Sequence, residues 1–228
     1  MQLVTRKSQK GFTLIEMIVS LGVFSVVITI AVGALLGLIS ANEQLQAEQS
    51  VMTNLSFALD SMTREIRTGT NYFCDEANNY SAGGPNNIFD DGNNIDSIIG
   101  NSVDDCSGRS NSNRKLHGLS FRETGNSITT GSNDRILYFH DSDSGSVNYG
   151  KIMRKVGDGP AQSIVSEGIF ISDAEFFVTG SEKLSSGSGA GYEDQASVTI
   201  FIEAYDTSDA SGKPYRVQTT VTQRTLDI

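Results

Sequence analysis

Glu16 is the residue of this chain whose type and position most clearly imply chemistry. It lies five residues after Gly11 and directly before Met17–Ile39, a run of 23 residues without a charged side chain. A carboxylate in a membrane segment is energetically costly and usually has a partner. The alternative is that Glu16 reaches the membrane interface and interacts with the helix N-terminus, which favours anions.

The apolar run has the length of a membrane span. As a helix, Met17–Ile39 covers roughly 35 Å, and the hydrocarbon core of a bilayer is about 30 Å thick. Arg6, Lys7 and Lys10 precede the run without any acidic residue, whereas the first charges after it are acidic. The positive-inside bias therefore predicts a cytoplasmic N-terminus, with everything after about Ser40 outside the cytoplasm. A secretory signal would have a shorter apolar run, followed by a small-residue cleavage site.

The segment from Lys10 to Ile18, KGFTLIEMI, resembles the prepilin N-terminus of the type IV filament superfamily. The resemblance implies that a prepilin peptidase and methyltransferase cuts after Gly11 and methylates the new amine of Phe12. It also implies that Glu16 pairs with the Phe12 amine of a neighbouring subunit and sets its register in a filament. A generic single-pass anchor is the alternative, and it needs no cleavage.

One long helix is predicted from Phe12 to Thr68, roughly 85 Å by helical rise. Residues 41–68 contain no Pro or Gly, and Gly69 offers a C-terminal stop. Apolar side chains in this part recur with helical spacing, at Leu45, Met52, Leu55, Leu59, Met62 and Ile66. The first half of the helix is therefore predicted to lie in lipid, and the second half to dock on a soluble head.

Residues 70–115 are rich in Asn, Gly, Asp and Ser and are predicted to be a long loop. The resemblance to the type IV filament superfamily implies that this region is variable. The only two cysteines of the chain, Cys74 and Cys106, lie in it. Outside the cytoplasm, such a pair favours a disulfide. Closing a loop of about 30 residues would contribute about 3 to 4 kcal/mol. Two unpaired thiols are the alternative.

From residue 116 onward the sequence has the period of two that is typical of strands. The predicted strands are Leu116–Arg122, Asp134–His140, Val147–Lys155, Ile169–Val178, Ser197–Tyr205 and Tyr215–Arg224. Half-buried antiparallel strands need a cover, and the amphipathic half-helix is the element available to supply it. The predicted fold is α+β and pilin-like: a long N-terminal transmembrane and amphipathic helix packed on an antiparallel β-sheet head.

The predicted organisation has five parts. They are a basic leader that is removed (1–11), the transmembrane half of the helix (12–40), its amphipathic half (41–69), the loop region (70–115) and the β head (116–228).

Three further segments resemble the J-type minor pseudopilins of type II secretion and the W-type minor pilins. They are Leu59–Arg67, Leu119–Phe121 and Tyr149–Arg154. This resemblance implies a structural subunit that primes or joins the assembly of a pilus or pseudopilus. Its partners would be other pilin or pseudopilin subunits and the cytoplasmic membrane, and its final place a filament in the periplasm or at the cell surface. A competence or adhesion pilus subunit, and a membrane-anchored binding module that does not polymerise, are the alternatives.

No enzymatic site is predicted. His117 and His140 lie in strand patterns without the spacing of a zinc site, and no nucleophile elbow or phosphate-binding loop occurs. The acidic hairpin offers Asp141 and Asp143 as calcium candidates, with a plain turn as the alternative; no other cofactor is predicted. The net charge of −10 becomes −13 when the three basic residues of the leader are removed, so no direct binding of nucleic acid is expected.

Overall fold

The computed structural model describes residues 11–74, 95–100, 103–106, 118–123, 134–181, 195–207 and 212–224. The chain divides into two compact units, Met1–Gln46 and Ala47–Ile228. Residues 1–10 of the predicted leader, His117, and most of the Ser- and Gly-rich connection between the strands at 178 and 197 lie outside the described residues.

The long helix α1 spans Leu14–Thr68, so its predicted end is confirmed and its start lies two residues later than predicted. Thr13 precedes the first turn and caps it. Its Oγ1 accepts a hydrogen bond from the backbone N–H of Glu16 at 3.3 Å, and its carbonyl accepts one from Met17 at 3.3 Å. A threonine that satisfies a free N–H in this way is a favoured N-cap, which explains why the helix begins after Thr13.

The buried face of α1 in the second unit differs at its beginning from the predicted stripe. The buried residues are Val51, Leu55, Ala58, Leu59, Met62 and Ile66. Leu45 and Met52, which the pattern placed on this face, are 56% and 48% exposed. Residues three and four positions before Leu55 both neighbour it on a helix, so spacing alone does not choose between Met52 and Val51.

In the described part of the second unit, eight strands form two antiparallel sheets. They are β1 (Gly69–Cys74), β2 (Gly118–Glu123), β3 (Arg135–Asp141), β4 (Lys151–Val156), β5 (Gln162–Ser163), β6 (Ile169–Thr179), β7 (Ser197–Asp206) and β8 (Tyr215–Thr222), and a short helix α2 spans Ile95–Ile99. The first sheet has the order β1-β2-β3-β4-β5 and the second β6-β7-β8. The α+β, pilin-like class is confirmed, but the sequence predicted a single sheet.

Two corrections concern boundaries. The range predicted as loop, 70–115, contains β1 and α2. The strand β1 was missed because its partner β2 is far away in the sequence, and a local pattern does not show such pairing. The third predicted strand began at Val147, but Val147 is 99% exposed in a turn and β4 begins at Lys151. At this turn Gly150 has a φ of +73°, a conformation that favours glycine, and a Cβ there would lie 2.3 Å from Cε2 of Phe170.

The first sheet is buried on both faces. Ile136 and Tyr138 of β3 belong to the main core with the buried face of α1. Leu137 and Phe139 point to the opposite face, where they form a smaller cluster together with Phe73, Met153, Ile95 and Ile99. This sheet therefore lies between α1 and α2, which explains why β3 lacks the alternation of a strand with one wet face.

Candidate functional site

The predicted cleavage site is open. Gly11, Phe12 and Thr13 precede α1 without regular secondary structure, and the side chain of Phe12 is 79% exposed. A Cβ added at Gly11 would meet no atom within 4 Å. The described residues therefore present the Gly11–Phe12 peptide bond without steric protection.

Glu16 lies in the first turn of α1 with an exposed side chain. Its backbone N–H is bonded to Thr13, whereas its carboxylate makes no hydrogen bond or ion pair with the residues that the structure describes. An anion in the first turn is favoured by the partial positive charge of the helix N-terminus. The carboxylate is therefore placed favourably and remains available to a positive group on another molecule.

Sequence reasoning missed the role of Thr13. A signal was present, because Thr13 and Glu16 have the Thr-x-x-Glu spacing of a capping box at a helix start. The structure shows one half of that motif, the bond from the Glu16 N–H to the Thr13 hydroxyl.

The apolar part of α1 has the surface that a lipid environment requires. The large apolar side chains between Phe12 and Ile39 are 45% to 79% exposed, and α1 is long and apolar enough to cross a membrane. The hydroxyls of Ser20, Ser25 and Thr29 donate to carbonyls of their own helix, at 3.0, 2.9 and 2.8 Å. Unsatisfied polar groups are costly in hydrocarbon. Because these three hydroxyls are hydrogen-bonded within the helix, this surface of α1 can face lipid.

The two cysteines lie within bonding reach in the second unit. Cys74 ends β1, Cys106 forms a bridge to Val178 of β6, and the two Cα atoms are 5.8 Å apart, joined through a disulfide. Both residues are buried.

The calcium candidates use their carboxylates within the hairpin. Asp141 accepts hydrogen bonds from the N–H of Asp143 at 3.2 Å and from the hydroxyl of Ser146 at 2.6 Å. Asp143 accepts one from the N–H of Gly145 at 3.0 Å. These are the bonds of a tight turn. Within the described part of the chain, no group of three metal-ligating side chains is found.

Comparison with protein families gives a match at the N-terminus. Residues 6–40 match the family model described as the prokaryotic N-terminal methylation motif, and this range includes Gly11, Phe12 and Glu16. No curated protein and no solved structure gives a match. The type IV pilin-type motif is thus confirmed at the N-terminus, whereas the closer likeness to J-type or W-type subunits rests on the three segments named above. The chain carries a prepilin-type leader in front of a membrane-length helix, followed by a pilin-like α+β head.

Proposed function

We propose that this chain is a minor pilin or pseudopilin, a structural subunit rather than an enzyme. A prepilin peptidase cuts it after Gly11, Phe12 is N-methylated, and the subunit then primes or joins a type IV pilus or a type II secretion pseudopilus. One observation carries the proposal. The methylation motif, matched at residues 6–40, extends into a helix whose apolar half is exposed among the described residues.

The start of α1 is compatible with removal of the leader. The first backbone bond of the helix runs from Met17 to the carbonyl of Thr13, and the side-chain cap is also supplied by Thr13. Both groups lie on the C-terminal side of the predicted cut. Cleavage therefore removes no hydrogen bond that defines the helix start.

Cleavage creates a positive amine beside the helix N-terminus, where the helix dipole disfavours positive charge. The Glu16 carboxylate of a neighbouring subunit, also in a costly position near lipid, would neutralise it. Each subunit then offers one amine at Phe12 and one carboxylate at Glu16. Pairing them between neighbours fixes the axial position of an incoming subunit.

The three segments whose sequences resemble J-type and W-type subunits lie close together in this chain. Glu65 of the first segment is hydrogen-bonded to Arg154 of the third at 3.0 Å. Phe121 of the second stacks on Tyr138 with ring centroids 6.1 Å apart, and Tyr138 donates to Glu65. The segments thus surround one packing site between α1 and the first sheet.

Mass spectrometry of the natural N-terminus, from cells with and without the peptidase, tests the processing. We expect the mature chain to begin at Phe12 and to carry one added methyl group, and only when the peptidase is present. A photo-crosslinking residue at Phe24 should then join the chain to pilin-like subunits. The control is a chain that retains its leader and carries the photo-crosslinking residue in place of Glu43.

A membrane-anchored module that does not polymerise is the second candidate. It is favoured by the observation that the head, Ala47–Ile228, is a compact unit by itself. Such a module would have no need of a free Phe12 amine. A chain that retains residues 1–11 in its final location would support it and contradict the filament subunit.

A further inference from the structure

The stretch 103–106 is hydrogen-bonded to both sheets of the head. On one side, the N–H of Cys74 donates to the carbonyl of Asp104, and the N–H of Asp104 donates to Tyr72, both at 3.2 Å. On the other side, Cys106 and Val178 of β6 exchange two bonds of 3.0 Å. This short stretch therefore joins the edge strand β1 of the first sheet to the edge strand β6 of the second.

The side chain of Asp105 adds to the join. Its carboxylate accepts hydrogen bonds from the N–H groups of Gly180 and Ser181, each at 2.8 Å, and from the Ser181 hydroxyl. The bonds hold the end of β6. The other end of β6 is held separately, because the N–H of Ile171 donates to the carbonyl of Gly150 at 2.8 Å.

The preceding stretch, 95–100, is held on the first sheet by buried charges. Asp96 is fully buried, with Oδ1 2.7 Å from Nη2 of Arg122 and Oδ2 accepting from the N–H groups of Asp134 and Arg135 at 2.9 and 3.1 Å. Arg122 and Arg135 lie directly opposite each other on β2 and β3. The carbonyl of Gly100 accepts from both guanidinium groups, at 3.3 and 3.1 Å.

Two like charges at opposite positions in a sheet repel each other. The carboxylates of Asp96 and Asp134 compensate this repulsion and so allow both arginines to be buried. Burial, and then the charge of Arg122, lowers the pKa of Arg135 to about 10, while Asp96 and Asp134 act in the opposite direction. Without the stretch 95–100, the two buried arginines would lose the Asp96 carboxylate, and their burial in the sheet would be unfavourable.

These stretches also cover apolar surface. Ile95 and Ile99 complete the small cluster on the outer face of the first sheet, which contains Met153. If 95–100 moved away, that face would be exposed to water. Cys74 and Cys106 covalently connect β1 to the stretch 103–106, which follows this cover in the chain.

We propose that residues 95–100 and 103–106 form a redox-operated clasp, which the Cys74–Cys106 bond closes over the first sheet and onto the second. Without the bond, the join between β1 and β6 opens more often, while each sheet keeps its own strand pairing. The inference does not depend on the filament role, since it concerns the head alone.

Closing the clasp is a thiol–disulfide exchange. Each cysteine thiol loses one proton and one electron, and the disulfide of an exchange partner accepts both electrons and both protons and becomes a dithiol. Reducing conditions, as in the cytoplasm, would leave the clasp free to open, and oxidising conditions outside would close it.

Amide hydrogen exchange of the full-length chain in detergent tests the join. We expect the Cys74→Ser/Cys106→Ser double variant to exchange about tenfold faster or more at Asp104, residue 106 and Val178. Ile171, at the opposite end of the same strand β6, should be unchanged. Unchanged exchange at all of these sites would overturn the clasp, and so would an equal increase at Ile171, because the bond would then hold the whole head.

Methionine oxidation by peroxide tests the cover in the same double variant. Met153 lies in the smaller cluster on the outer face of the first sheet, whereas Met62 of α1 lies in the main core, and both are buried. We expect sulfoxide to form about tenfold faster or more at Met153 and at an unchanged rate at Met62. Equal protection of Met153 with and without the cysteines would contradict the proposal.

An Asp105→Asn variant, which retains both cysteines, separates the bond from the side-chain contacts. We expect faster exchange at Gly180 and Ser181 and unchanged exchange at Asp104. If this variant opened Asp104 as far as the loss of the cysteines does, the disulfide would not be the element that closes the clasp.

Discussion

Glu65 of α1 and Arg154 of β4 form a two-point ion pair. Nη2 of Arg154 lies 3.0 Å from Oε1 of Glu65, and Nε lies 3.0 Å from Oε2. The hydroxyl of Tyr138 donates to the same Oε2 at 2.6 Å. Burial by itself lowers the pKa of Arg154, but the hydrogen bond and charge of Glu65 raise it overall. The pair holds the amphipathic half of α1 against the first sheet.

Replacing Glu65 should destabilise the head. We expect Glu65→Ala to lower the free energy of unfolding by about 1 to 2 kcal/mol, because it removes a charge-assisted pair and the acceptor of Tyr138. Denaturation of the full-length chain in detergent measures it.

The matched control for this prediction is Asp60→Ala on the same helix. Asp60 pairs with Arg64 at the same distance, 3.0 Å, but the two side chains are 67% and 78% exposed. Its loss should change the free energy by about 0.5 kcal/mol or less. Equal effects of the two substitutions would contradict the role given to Glu65.

Asp96 should be more sensitive than any surface acid. Asp96→Ala leaves Arg122 and Arg135 buried with one carboxylate fewer, and we expect a loss of about 3 to 5 kcal/mol. Denaturation curves measure it, with Asp173→Ala on the half-exposed face of β6 as the control. A loss below about 1 kcal/mol would show that water or another group replaces Asp96.

Alkaline pH should unfold the head through two tyrosines. Burial raises the pKa of Tyr72, and burial together with the hydrogen bond to Glu65 raises that of Tyr138. An unfolded tyrosine ionises near pH 10, so the unfolded chain loses these protons at a lower pH than the folded chain. The stability that these groups provide is complete below about pH 10 and falls as the pH rises above it.

Denaturation midpoints between pH 8 and pH 12, with tyrosinate absorbance followed in parallel, check this dependence. We expect Tyr72→Phe and Tyr138→Phe each to flatten the fall above about pH 10. Tyr149→Phe, in which the replaced side chain is 44% exposed, is the control. The same slope in all three variants would be inconsistent with the prediction.

Gly69 should not tolerate a side chain. It follows α1 directly, and a Cβ there would lie 2.5 Å from Cδ2 of the buried Phe121 ring. We expect Gly69→Ala to destabilise the head by about 1 to 3 kcal/mol through overpacking. Thermal melting measures this. Gly145→Ala, where the nearest contact is an ordinary 3.5 Å from Asp143, should leave the melting temperature unchanged.

Glu16 should matter for assembly but not for processing. We expect Glu16→Ala to be inserted and cut after Gly11, since the peptide bond there is exposed, but to be missing from filaments. The filament fraction and the mature mass measure the two steps. Glu43→Ala, an exposed acid on the same helix beyond the apolar run, should assemble normally. Normal incorporation of the Glu16 variant would refute the pairing role.

The sequence by itself determined the long helix and the class of the fold. Charge, hydropathy and helical spacing are local properties, so they located a helix ending at Thr68 and its apolar membrane-length half. The alternation of Val198, Ile200 and Ile202 likewise predicted β7, where these residues are buried. The motif around Gly11 and Phe12 could also be recognised from the sequence, because it consists of residues that are close together in the chain.

Only the tertiary structure decided how the remaining residues meet. Asp96 stands in a polar stretch that looks solvated, yet it is buried against arginines that follow it by 26 and 39 positions. The use of Val51 instead of Met52 on α1, and the division of the strands into two sheets, are of the same kind. They depend on contacts between segments that are far apart in the sequence, and local periodicity does not depend on such contacts.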